Sequence, residues 1–89
     1  MKIKLELFGA SREFSSKDHL EFDLKEKIKI KDFRKEIISY LDKNFNGNKS
    51  FKKIVETSAF CSDENNIIND NYKISKDQKI GIIPPIGGG

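Results

Sequence analysis

The sequence predicts an α+β domain, with a mixed sheet of four to five strands and one main helix across one face. Three observations predict it. Apolar residues alternate near the start of the chain, at Ile3, Leu5 and Leu7, and a second apolar strand pattern, "KIGIIP" (Lys79–Pro84), lies near its end. Between them the spacing shifts to three and four residues over one stretch only, the period of an amphipathic helix. The chain has 89 residues, which suits one domain, and a domain of that size buries only ~60% of its unfolded surface, so the core is small.

Taken in order, residues 2–8 form the first strand. Ile3, Leu5 and Leu7 point inward; Lys2, Lys4, Glu6 and Phe8 point outward. "GASREFSSKDH" is a turn with room for one loose helical turn. Leu20, Phe22 and Leu24 alternate with Glu21 and Asp23, giving a second strand that pairs with the first as a hairpin. From about Asp32 a helix of roughly three turns carries Ile30, Phe33, Ile37, Tyr40 and Leu41 on one face. "NFNGN" ends it, with Gly47 in the left-handed conformation of a helix end. A short helix or turn follows near Phe51–Val55. Thr57–Ser62 is a strand with Ala59 and Cys61 inward and Phe60 outward. "DENNIINDN" holds a short edge strand between turns. The last strand, Lys79–Pro84, ends at its prolines, which lack the backbone donor that a central strand needs. It lies parallel beside the first strand, reached through the helix crossover. The domain therefore spans residues 1–83, and residues 84–89 form a flexible extended tail.

Composition narrows the function classes. Charged residues make up 35% of the chain, yet the net charge is only +3. Lys25, Lys27, Lys29 and Lys31 are flanked by Asp23, Glu26 and Asp32, so they read as a solvated face and not as a nucleic-acid site. The single cysteine allows no internal disulfide, and neither a signal peptide nor a membrane-length apolar run is present. The expectation is a soluble cytoplasmic protein with no nucleic-acid or membrane partner. No metal-ligand spacing or phosphate loop occurs. His19 stands alone in a loop. Cys61 is expected to be a small core residue.

The alternation leaves Phe8, Phe60 and Ile83 on the outward face. An apolar cluster there suggests a partner surface. It lies where "IIPPIGGG" leaves the sheet. Pro84 and Pro85 stiffen the exit because each ring fixes φ. Gly87, Gly88 and Gly89 have no side chains and can thread a channel too narrow for any other residue. Six extended residues from Pro84 to Gly89 reach ~20 Å.

On "LFGASRE" (Leu7–Glu13), the element order and above all the terminal "IIPPIGGG", the chain resembles the ubiquitin-like sulfur carriers. Within them it is most like the small subunit of molybdopterin synthase (the MoaD type). The resemblance implies a ubiquitin-like β-grasp fold and a carrier that is not catalytic alone. It implies that Gly89 is adenylated by a partner enzyme of the MoeB type using ATP. The adenylate would then become a thiocarboxylate, with the sulfur donor acting through that partner. The large synthase subunit would receive the tail and pass the sulfur to a cyclic pyranopterin precursor in molybdenum cofactor biosynthesis. No cofactor is expected on the carrier itself. Gly87 and Gly88 would give passage, and Phe8, Phe60, Ile83, Pro84, Pro85, Ile86 and Arg12 would meet partners. Carriers serving tungsten cofactor, thiamine thiazole or sulfur amino acid synthesis, and ubiquitin-like protein modifiers, share the same activation and stay open as alternatives.

Overall fold

The computed structural model describes residues 1–86, so the expectations for Gly87, Gly88 and Gly89 lie outside the described residues. Its main sheet has five strands: β1 (Lys2–Leu7), β2 (His19–Asp23), β4 (Ala59–Cys61), β5 (Ile67–Ile68) and β7 (Gln78–Ile83), in the order β2-β1-β7-β4-β5. β3 (Ile28–Lys29) and β6 (Lys73–Ile74) pair separately as a two-stranded ladder. β1 and β2 form the expected antiparallel hairpin. β1 and β7 run parallel at the centre, with Leu5 opposite Ile80 and Leu7 opposite Ile82. This is the ubiquitin-like β-grasp arrangement.

The main helix α1 (Ile30–Asn44) begins two residues before the expected start. It has no side-chain cap. Instead its first donors are met by the approaching loop: Ile30 N–H donates to Tyr72 O at 2.9 Å and Lys31 N–H to Asp70 O at 3.1 Å. Ile30, Phe33, Ile37 and Leu41 are all buried, as the helical spacing requires. Gly47 has φ +70°, as expected after a helix end, and Asn46 shares the left-handed region. A second helix, α2 (Lys49–Thr57), follows at once. Asn48 caps it by accepting from Phe51 N–H at 3.1 Å.

The core is one cluster, in which Ile3, Leu5 and Leu7 of β1 join Ile80 and Ile82 of β7 beneath α1. Phe33 packs 5.4 Å from Phe22 and 6.4 Å from Phe60, centroid to centroid. Arg34 ties α1 to its surroundings. Its guanidinium donates to Val55 O and Ser58 O, both at 2.7 Å, pairs with Asp70 at 2.9 Å, and lies 4.7 Å from the centre of the Phe60 ring. Among the described residues no helix is long and apolar enough to cross a membrane.

Candidate functional site

β1 and β7 run parallel, so their C-terminal ends meet at one pole of the sheet. Leu7 is opposite Ile82, which brings Phe8 alongside Ile83. Phe8 is 39% exposed and Ile83 is half-buried. Both lie beside the point where Pro84–Pro85–Ile86 leaves, as the alternation anticipates.

Phe8 is held from two sides. Its backbone N–H donates to the Ser11 hydroxyl at 3.0 Å, and that hydroxyl donates to Phe8 O at 2.6 Å. Ser11 is fully buried in the 3-10 helix Gly9–Phe14 that follows β1. The Phe8 ring lies over Gly81. A methyl group placed on Gly81 would sit 3.0 Å from Phe8 Cε2 and 2.7 Å from Cys61 Sγ. Gly81 thus provides a flat seat for the ring on the outer sheet face, with the thiol beside it.

Two residues of the expected patch are placed otherwise. Phe60 has no exposed surface and belongs to the core, where it touches the α1 side of the sheet through Phe33 and Arg34. A side chain with no accessible surface cannot dock a partner. The faces of β4 are the reverse of those expected: Ala59 is exposed and Cys61 half-buried on the outer face. The larger apolar side chain takes the core position, where it removes more surface from water. Pro84 is also buried, with its ring 3.8 Å from where a Cβ on Gly9 would stand. It anchors the tail root to the domain, and the exposed part begins at Pro85.

The residue that takes Phe60's place was not anticipated. Ile67 of β5 is 69% exposed and lies directly opposite Cys61 in the antiparallel pair. It therefore extends the outer face beyond Cys61. Its signal in the sequence was the apolar pair Ile67–Ile68 inside a polar loop, but two residues do not reveal which one faces out.

Arg12 is exposed and takes part in none of the ion pairs among the described residues. It lies four residues beyond Phe8, at the same pole. His19 sits between Asp18 (2.9 Å) and Glu21 (3.3 Å). Its hydrogen bond to Asp18 holds that carboxyl below the usual aspartate range. This cluster stands at the start of β2 and includes none of the patch residues.

On the helix side of the tail root is a groove of about 510 Å³. Pro84, Pro85 and Ile86 form one wall; Ala10 of the 3-10 helix and Lys53, Ile54 and Thr57 of α2 form the rest with Ser50.

No protein-family model matches the sequence, and no curated protein matches it. Solved structures do. One is a protein from Pyrococcus furiosus named, provisionally, as a molybdopterin converting factor, subunit 1. It superposes with a TM-score of 0.68 at 19% identity, covering 96% of this chain and 98% of that one. Another is SAMP1 from Haloferax volcanii, with a TM-score of 0.68 at 12% identity and 100% of both chains covered. The chain shares their fold.

Proposed function

We propose that this protein is a sulfur carrier whose Gly89 carboxylate is activated, thiolated and presented to an acceptor enzyme. The observation that supports it most is the junction of the half-exposed Phe8–Ile83 surface with the exposed Pro85–Ile86 root of a glycine tail. Docking of that surface would direct Gly89 into a partner's active site.

The chemistry follows from the terminal carboxylate. It is a poor electrophile, because its charge is shared by two oxygens. One of those oxygens attacks the α-phosphorus of ATP on the adenylating partner, and pyrophosphate leaves. A persulfide sulfur then attacks the acyl carbon, AMP departs with the C–O electron pair, and a thiol reductant releases the acyl disulfide as a thiocarboxylate. The protein's own contribution is docking and delivery. Ordering the tail on docking costs entropy, which apolar burial at Phe8, Ile67 and Ile83 must outweigh.

Molybdopterin synthesis is the pathway we infer, with the large synthase subunit as acceptor. The Pro84–Pro85 exit and the name given to the Pyrococcus furiosus neighbour favour it. The test is the intact mass after incubation with ATP, a sulfur donor and a candidate adenylating enzyme, beside a variant lacking Gly89. Replacement of one oxygen by sulfur, absent from the deletion, is the expected result. No change with a competent enzyme overturns the reading. Larger denaturant-resistant species would instead mark isopeptide attachment to lysines, the modifier alternative.

A further inference from the structure

The exposed apolar side of the tail root does not all face the Phe8 patch. Pro84, Pro85 and Ile86 also wall the groove against α2, and Ile86 is fully exposed there. A protein that surrounds the tail must cover this side as well.

We propose that the groove is a second docking surface, and that it takes an acidic segment with an apolar side chain from the adenylating enzyme that receives the tail. This rests on the carrier reading above. Two observations specify the occupant. The first is the lining: Ala10, Ile54 and the tail root are apolar, and the Thr57 hydroxyl is already engaged, donating to Lys53 O at 2.8 Å. The groove therefore offers a place for an apolar side chain and few hydrogen bonds. The second is the charge on its rim. Lys53 takes part in none of the ion pairs among the described residues. Lys53 lies on the groove wall itself. A carboxylate beside the inserted side chain would meet the Lys53 ammonium, and complementary rim charges speed encounter and fix register.

The test measures pyrophosphate release from ATP by the candidate adenylating enzyme as a function of carrier concentration. Lys53→Glu and Ser50→Trp are compared with the unaltered chain and with Lys25→Glu, a charge reversal beyond β2 at the opposite pole. Lys53 and Ser50 are exposed helix positions, so a melting curve suffices to show that the variants fold. Lys53→Glu is expected to raise KM about tenfold at low salt and less at high salt. Ser50→Trp fills the groove and raises KM about tenfold at either salt concentration. Neither changes kcat, and Lys25→Glu stays within about twofold. If the unaltered chain is active and both groove variants keep its KM, the proposal is overturned while the carrier reading stands. If the unaltered chain releases no pyrophosphate, the carrier reading fails and takes this proposal with it. A dimer of the chain alone that Ser50→Trp dissociates would place a second copy in the groove and overturn the assignment to the enzyme.

Discussion

Arg34 and Phe60 show how a single side chain divides structural from docking roles. The Arg34 guanidinium satisfies the carbonyls of Val55 and Ser58, where α2 ends and β4 begins. Replacing it with methionine keeps the unbranched stem and leaves those carbonyls without donors. Arg34→Met should lose about 2–4 kcal/mol in urea unfolding. Asp70→Asn should lose under about 1 kcal/mol, because Asp70 is about half exposed and the carbonyl bonds remain. Phe60→Ala empties a fully buried ring site and should cost about 3–5 kcal/mol. Phe8→Ala removes a ring that is 39% exposed. It should cost far less stability, yet raise KM for the adenylating enzyme at least about tenfold. If the stability losses come in the opposite order, the reversed faces of β4 are wrong. The sequence showed that Ala59 and Cys61 oppose Phe60 but not which side is the core. In a three-residue strand, alternation supplies two faces and no label. Size decides the matter, and a phenylalanine between alanine and cysteine is the residue that burial favours.

At the level of elements, the long periodic segments were legible and the short ones were not. β1, β2, α1 and β7 follow from spacing because each repeats its period at least twice. α2 has only nine residues, and its cap, Asn48, is hidden in a cluster of asparagines that also serves the preceding turn. β3 and β6 have two residues each, too few to show any period. Their pairing places Lys29 directly opposite Lys73. In the sequence, Asp23, Glu26 and Asp32 stand beside the lysines of this region. In the structure Asp32 pairs with Lys35 and Asp23 with the N-terminus, so neither relieves this pair. Like charges facing each other across a ladder destabilise it. Lys73→Glu should therefore raise stability by about 0.2–1 kcal/mol in thermal or urea unfolding. The gain should shrink in high salt, since both side chains are exposed. A loss of stability at low salt would contradict the assigned register.

For the molecule as a whole, the parallel pairing of β1 with β7 joins the two ends of the chain. Contacts so distant in sequence bring their loop-closure cost before they bring any stability, so the sheet centre forms with the global fold and is lost with it. The ladder β3–β6 has no such neighbour strand: two residues pair with two, and only the bonds from Ile30 N–H to Tyr72 O and Lys31 N–H to Asp70 O extend it. Native-state hydrogen exchange should separate them. Amides of Leu5, Ile80 and Ile82 should exchange only through global unfolding, with the full denaturant dependence of the unfolding transition. The ladder amides of β3 and β6 should exchange through a smaller, sub-global opening with a lower denaturant dependence, which is not zero because that opening exposes the buried Ile74. The distinction bears on the proposed function, because the tail root is a direct continuation of β7, and Phe8 of β1. A partner that holds the tail pulls on the most protected pair of strands, and the Phe8–Ile83 surface keeps its shape while the tail is drawn in. If β7 instead exchanged as readily as β3, the surface would not be preformed, and docking would have to order the sheet centre as well as the tail.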